Sequence, residues 1–548
     1  MIKILISTVL IFTLYAVINI RPIITDNKVV YELADYSRLS VNDSGGNELS
    51  NDIMIRVKLD VDDFDGNNNG IDQSDKWGYR ALAKDYYSTL NKNFVNDIEL
   101  PNYKDIYISK YSPYILYTYD RNEFNKYENL IVEVINDKQY IETAYIKEHI
   151  NNEYKENVSG TMYFGGAWDQ WNNNYYTGAG IVVGVLEPGL VDASQAIFND
   201  ISVTVLTQNV PGEGVHEHST AMAGYIAGSG GVAKDASILS ACLYGVMDEE
   251  IEWMLDNDVD IINMSFGDTI ANGIYSSDSA YADYIVNQYK VTIVAAVGNE
   301  GEGSGLIANP ALGYNVISLG AANDGVARSY YSSYLEAEGS APKPTLMLVG
   351  SYVANIPLDV MYSGTSVSSA CASGIIALLM EQYPNLKTNP EKLQALLCSS
   401  ARMHPDAILL PNGFNEPTGA GMIHYENFNT QYANSYTIMN YNGRSGSIIH
   451  TRTVNLTGGT RFKCSIAWTA YATGDVSRTK FTNYNIYLKD SEGNILATAN
   501  STNSCIELIT CIIPEDGTYK IEIEQIGTIK KINEKIGVAY GTAADYEI

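Results

Sequence analysis

Between residues 180 and 425 short apolar runs alternate with segments of helical spacing. GIVVGVLEPG (180–189), ASILSACLYG (236–245), VDIINMSFG (259–267) and VTIVAAVGNEG (291–301) are near-continuous apolar runs closed by glycine or polar residues. HSTAMAGYIAG (218–228), EEIEWMLDN (249–257) and YADYIVNQY (281–289) lie between or beside them and read as helices. Strands without a polar face predict a parallel sheet covered on both sides. Such sheets bind ligands beyond the carboxyl ends of their strands, so the polar residues after each run are where chemistry is expected.

The flanks follow other patterns. Residues 51–150 read as a β-α-β-β-α-β unit, an α+β ferredoxin-like order. Its strands are IMIRVKLD (53–60), DIYISKY with YILYTYD (105–120) and YIETAYI (140–146). Its helices are WGYRALAKDYYSTLNKNFV (77–95) and EFNKYENLIVEVIND (123–137). From residue 436 the helical signal is lost. FKCSIAWTAY, NYNIYLKD, SCIELITCII and TYKIEIEQI are separated by turns such as SEGN and EDG. They predict an all-β sandwich or jelly roll over 436–548, with the boundary between Gly419 and Tyr436.

Charge narrows the partners. There are 35 Lys and Arg against 64 Asp and Glu, a net charge of −29. Nucleic acid and anionic membrane surfaces need clustered cations, so neither is an expected partner. At the amino terminus Lys3 precedes an uncharged, mostly apolar run from Ile4 to Ile20. This reads as an export signal or, failing cleavage, an anchor, and membrane contact is expected only in the second case. Six cysteines suit an exported chain without forming a disulfide scaffold. Cys371 and Cys398 lie in apolar helical patterns and read as small buried hydrophobes; Cys464, Cys505 and Cys511 leave room for one bridge.

Three residues stand at strand or helix ends: Glu187 after an apolar run, His218 opening a small-residue helix, and Ser366 at the start of SGTSVSSACASGIIALLM. Singly, each has an ordinary reading, as a solvated acid, a structural histidine and a helix cap. Taken together and in this order, they resemble the subtilisin-like serine proteases (subtilases) over about Trp168–Ile423. GVAKDASI (231–238), VDIINMSFG, VAAVGNEG (294–301) and GTSVSSACASG (364–374) resemble the family's other motifs in register. The acid–His–Ser order is also that of subtilisin.

The resemblance implies a doubly wound parallel-sheet catalytic domain over 160–430 and serine endopeptidase activity on polypeptide substrates. Ser366 is implied as nucleophile, His218 as general base and acid, and Glu187 as the acid that orients the imidazole. Asn299 is implied as the oxyanion donor, beside the Ser366 N–H. Ser265, Phe266 and Gly267 are implied as an edge strand pairing with extended substrate. No cofactor is required for this chemistry. The chain would be exported, extracellular or at the cell surface, with a signal peptide or anchor over 1–22. The 50–150 unit would be a propeptide that inhibits its own catalytic domain, with self-cleavage between about 146 and 165. The β-domain over 436–548 resembles the jelly roll of some longer subtilases.

The pattern departs from the family in places. The acid is Glu187 where the family has Asp; Ser219 and Ala370 replace a usual Gly and Pro; and the stretch 238–255 is short. Glu187 keeps open a second reading, a catalytically impaired pseudoprotease that binds or regulates. A third is a surface protein whose β-domain is the working part. Finally, DDFDGNNNGIDQSD (62–75) places Asp65, Asn67 and Asn69 at alternate positions, as in a calcium loop, although Lys76 stands where the acidic twelfth residue belongs. A structural calcium there competes with ordinary turn chemistry.

Overall fold

The computed structural model describes residues 15–16, 23–25, 28–31, 37–38, 52–59, 64, 76–97, 103–120, 140–142, 144–148 and 161–542. The last span omits 164, 209–213, 244–246, 269–270, 324–326, 338–339, 405, 442, 473–478 and 532. The apolar run 4–20, for all but two residues, and Asp65, Asn67 and Asn69 lie outside the described residues. No described helix is long and apolar enough to cross a membrane.

The chain divides into two units, residues 1–66 with 81–139, and residues 67–80 with 140–548. In the first, β1 (Ile23–Thr25), β2 (Lys28–Tyr31), β3 (Asp52–Leu59), β4 (Asp105–Ile108) and β5 (Tyr114–Asp120) form an antiparallel sheet of order β1-β2-β3-β5-β4. Most of helix α1 (Lys76–Asp97) belongs to this unit. The buried Asn91 amide donates to the carbonyls of Ser109 (2.8 Å) and Ser112 (2.9 Å), tying the helix to the β4–β5 turn. The first strand, first helix and central strand pair fall where the pattern predicts them. The helix expected over 123–137 lies outside the described residues. The final expected strand, 140–146, does not join this sheet. It forms β6 (Tyr140–Glu142) and β7 (Ala144–Glu148), which pair with strands of the second unit. Alternation shows that a segment is extended but not which edge will take it.

The second unit is built on a seven-stranded, wholly parallel sheet. In chain order its strands are β8 (Val182–Glu187), β9 (Val203–Val205), β10 (Ser237–Cys242), β11 (Ile261–Met264), β13 (Thr292–Ala296), β14 (Ile317–Ala322) and β15 (Leu346–Val349), and in space β9-β10-β8-β11-β13-β14-β15. Strand order reverses around β8, so the sheet's switch point lies at the end of the strand that carries Glu187. Short β12 (Phe266–Asp268) leaves the sheet after β11. The connecting helices are α2 (Glu217–Ile226), α3 (Asp248–Asp256) and α4 (Ser277–Tyr289). The hairpin β16 (Val353–Asn355) and β17 (Val360–Gly364) leads into α5 (Thr365–Gln382).

Helix α5 is buried from Thr365 to Met380, as expected of a helix that is small or apolar all round. Cys371 and Cys398 sit in this core, and burial pushes both thiols up to about 12. All six cysteines are free thiols, so the C-terminal bridge allowed by the sequence is not formed. Helix α6 (Pro390–Ser400) and α7 (Tyr425–Tyr432) complete this region.

Residues 435–542 fold as two four-stranded antiparallel sheets. One has the order β18-β25-β20-β23, the other β19-β24-β21-β22. The strands are β18 (Ser435–Asn440), β19 (Ser447–Leu456), β20 (Arg461–Trp468), β21 (Asn483–Lys489), β22 (Ile495–Ala499), β23 (Ile506–Ile512), β24 (Gly517–Ile526) and β25 (Glu534–Thr542). Phe462, Cys464, Ile466 and Trp468 of β20 meet Tyr484, Ile486, Leu488, Ile521 and Ile523 in one core, which makes a sandwich. The opposite face of β20 is buried too. There Lys463 donates to the carbonyls of Ala401 (2.7 Å) and Ala420 (3.3 Å), and its desolvated ammonium is pushed down to about 7. Gly537 of β25 lies so close to α6 that a Cβ would stand 2.3 Å from the Glu391 carbonyl oxygen. The sandwich therefore packs directly on α6.

Candidate active site

Glu187, His218 and Ser366 come from three different elements. Glu187 is the last residue of β8, paired across the sheet with Cys242. His218 lies in the first turn of α2, whose entry is fixed by the His216 N–H donating to Leu190 (2.8 Å) and the Leu190 N–H donating to Gly214 (2.7 Å). Ser366 is the second residue of α5, where unpaired backbone N–H groups and the helix dipole favour developing negative charge. All three side chains are almost wholly buried.

Glu187 Oε2 lies 3.2 Å from His218 Nδ1. Its other oxygen, Oε1, accepts the Ser265 N–H at 3.1 Å. The carboxylate thus grips the turn after β11 with one oxygen and faces the imidazole with the other. Its extra methylene relative to Asp is accommodated in this bridging arrangement. Asp192, five residues further on, is engaged elsewhere. It accepts from the Ser194 hydroxyl (2.6 Å) and the Gln195 amide (2.8 Å), and these bonds hold its carboxyl below the usual range. Tyr362 packs edge-on to His218 at 6.1 Å between ring centres, closing one side of the imidazole.

Ser366 Oγ makes no hydrogen bond among the described residues. Its backbone is well fixed: the Ser366 carbonyl accepts from the hydroxyls of Ser369 (2.8 Å) and Ser265 (3.1 Å). Asn263 donates to Ser265 Oγ (2.8 Å) and accepts from Ser373 (3.2 Å), which extends a buried polar network between β11 and α5. A satisfied network of this kind holds one geometry in an otherwise apolar core.

Asn299 is half-buried after β13. Its Oδ1 accepts both the N–H and the hydroxyl of Thr365, each at 3.1 Å. The acceptor half of the amide is therefore occupied and the orientation set, leaving Nδ2 as the donating end. Thr365 Oγ1 also accepts the Gly298 N–H at 3.2 Å. The sequence pattern names Ser366 but passes over Thr365, Asn263 and Ser369, which look like ordinary residues of a helix start or a strand. The only local signal was the density of hydroxyls in GTSVSSACAS beside an Asn on a buried strand.

Ser265 turns its hydroxyl inward to Ser366 and Ser369. Phe266 is buried, and Gly267 lies against Ala308, where a Cβ would come within 2.6 Å of the alanine methyl carbon. The backbone of 266–268 is a sheet edge, and it carries an extended antiparallel partner, β6. Ser219 and Ala370 are both fully buried, in α2 and α5. No group of three or more metal-ligating side chains occurs among the described residues.

Comparison with known proteins gives a family match. The subtilase family (Peptidase_S8) matches residues 129–421. Subtilisin DY of Bacillus licheniformis is 30% identical over 236 residues, covering 39% of this chain and 81% of its own. Subtilisin NAT of Bacillus subtilis subsp. natto is 28% identical over 290 residues, covering 47% and 72%. Among solved structures, the patellamide maturation protease PatA is 23% identical, with a TM-score of 0.38 over 46% of this chain and 96% of its own.

Proposed function

The chain belongs to the subtilase family of serine endopeptidases, and from that premise we propose that it hydrolyses peptide bonds through a Glu187–His218–Ser366 triad with an Asn299 oxyanion site. The observation that carries this reading is the carboxylate bridge. One Glu187 oxygen lies 3.2 Å from His218 Nδ1 while the other is anchored by the Ser265 N–H at 3.1 Å. An acid anchored in this way fixes the imidazole plane and leaves Nε2 to take the Ser366 proton.

Ser366 Oγ attacks the substrate carbonyl as His218 removes its proton, and Glu187 stabilises the imidazolium. The oxyanion is received by Asn299 Nδ2 and the Ser366 N–H, donors held in place before reaction. His218 then protonates the leaving amine. Water repeats the sequence on the acyl-enzyme and restores Ser366. Every proton moves between protein side chains, substrate and water. Export is part of the proposal, supported by the Lys3-led apolar run 4–20. So is synthesis as a precursor that processes itself. The rival pseudoprotease reading grew from the unusual acid, and the Glu187–His218 contact supports an active enzyme instead. Reaction of the purified protein with a fluorophosphonate tests this. Labelling confined to Ser366, lost in Ser366→Ala, together with hydrolysis of a peptide substrate, is expected. A folded protein that neither labels nor hydrolyses would remove the proposal.

A further inference from the structure

A cleft of about 480 Å³ opens at the far end of α5 from the triad. It is lined by Gln382, the last residue of that helix, whose second residue is Ser366. Sixteen helical residues at 1.5 Å each place the two about 24 Å apart. One wall is the short helix Trp168–Asn173 and the turn after it, with Asp169, Tyr175 and Tyr176. The other is the start of α7, with Tyr425 and Glu426.

Most uncharged polar groups in the cleft are spent on one another. The Tyr425 hydroxyl donates to Gln382 Oε1 (2.5 Å), Gln382 Nε2 donates to the Tyr383 hydroxyl (3.1 Å), and that hydroxyl donates to Asn429 Oδ1 (3.2 Å). The Asn429 amide also bonds the Tyr425 hydroxyl. Gln170 is only 6% exposed, and its Nε2 donates to the Tyr176 carbonyl at 2.6 Å. Its Oε1, however, has no hydrogen-bond partner among the described residues, and the side chain lines the cleft. The carboxylates of Asp169 and Glu426 are exposed at the rim, with no ion-pair partner among the described residues. Tyrosine hydroxyls apart, the groups left over are therefore acceptors, two of them charged.

The rings ask for the same sign of charge. Tyr175 is 70% exposed, and an aromatic face attracts cations. Neighbouring rings already carry them: Lys234 Nζ lies 4.4 Å from the centre of Trp171, and Lys392 Nζ lies 4.4 Å from that of Tyr432. No lysine or arginine lines the cleft itself. The net charge of −29 adds a long-range attraction for cations. A planar guanidinium fits this set, because it stacks on rings and presents several N–H donors to separate acceptors. We propose that the cleft binds an arginine side chain of a polypeptide substrate, as a docking site remote from the triad. Docking rests on the peptidase reading above; the binding itself does not. A substrate must reach at least about seven extended residues beyond the cut bond to use it.

Binding is read by calorimetry on full-length Ser366→Ala, which cannot turn the ligand over. The probes are N-acetyl-arginine amide and its citrulline counterpart, which keeps the shape and loses the charge. Saturable binding of the arginine amide is expected, at least about tenfold weaker for citrulline. Adding Tyr175→Ala or Glu426→Gln should weaken it about threefold to fivefold each. In the otherwise wild-type chain, both substitutions should leave kcat and KM for a short neutral peptide unchanged. They should raise KM about threefold for a long arginine-containing polypeptide, and not for the same polypeptide with citrulline. Absence of saturable binding, equal binding of the two amides, or binding that neither substitution weakens overturns the site. Weakened arginine binding with an unmoved polypeptide KM overturns the docking role. A wild type that hydrolyses nothing overturns the peptidase reading and docking with it, while the calorimetry still decides the site.

Discussion

Replacing Glu187 with Asp tests whether the longer acid is matched to its surroundings. The change shortens the side chain by one C–C bond, about 1.5 Å. If the backbone of β8 stays in its sheet register, the 3.2 Å contact with His218 Nδ1 opens to roughly 4.7 Å, beyond hydrogen-bond range. The Ser265 N–H loses its 3.1 Å acceptor in the same step. Complete loss of the orienting acid in such a triad costs about 10⁴ in rate, or some 5–6 kcal/mol. A carboxylate that remains nearby recovers part of this through charge alone. Glu187→Asp should therefore lower kcat by at least about 100-fold while changing KM less than about threefold, because orientation acts on the transition state. Glu187→Gln keeps the length but loses the charge, and should fall further, toward about 10⁴. The assay is hydrolysis of a chromogenic peptide, normalised to folded protein by circular dichroism. Loss of the bond from the Ser265 N–H to the carboxylate should also lower stability by about 1–3 kcal/mol, read as a lower Tm. An Asp variant within about threefold of wild type would refute the argument, since the Glu would then not be fitted by length to the imidazole.

Asn299→Ala should cost about 10²–10³ in kcat at nearly constant KM, a magnitude established in subtilisin rather than worked out from this site. An unchanged kcat would remove Asn299 from the oxyanion site. Thr365→Val removes one of the two hydrogen bonds orienting the Asn299 amide and, with it, the acceptor of the Gly298 N–H; kcat should fall about tenfold, with a stability loss of about 1–3 kcal/mol read as a lower Tm. A loss confined to KM would contradict a positioning role. Burial in the sandwich raises the Glu507 carboxyl to about 9, although it accepts the Ser501 N–H. Between about 4.5 and 9 the folded protein keeps a proton that the unfolded chain has released, so this group's stabilising contribution falls by about 1.4 kcal/mol per pH unit as pH rises. Glu507→Gln should match wild type in Tm near pH 4.5 and exceed it increasingly toward pH 9; a gap that does not vary with pH would contradict the linkage.

The parts of the fold evident from the sequence are those in which burial acts on whole segments. Strands such as 182–187 and 292–296 read as parallel because they are apolar on both faces. Likewise, α5 reads as a core helix because its residues are small or apolar on every side. Glu187, His218 and Ser366 are recognisable because each stands where an element of one type begins or ends. What was hidden depends on partners far away in the chain. Nothing local says that the second oxygen of Glu187 meets the N–H of residue 265, or that Thr365 fixes the amide of residue 299. The segment 140–146 reads as a strand, but an extended backbone carries no address, and β6 and β7 pair with edges more than a hundred residues further on. Lys463 is hidden for a related reason: nothing within FKCSIAW tells that another layer covers its face of β20.

The doubly covered strand β20 also bears on inheritance. A module that touches its host through a rim of polar contacts can be lost or exchanged without much harm. Here Asn315 of the catalytic domain donates to the Ala470 carbonyl (3.0 Å) and accepts its N–H (2.7 Å), while Lys463 reaches back to residues 401 and 420. Removing 435–548 would strip apolar surface from α6 and strand these groups together. The two folds should therefore melt in a single cooperative transition and be shuffled by recombination only as a pair, with the sandwich serving as an outer wall of the protease itself.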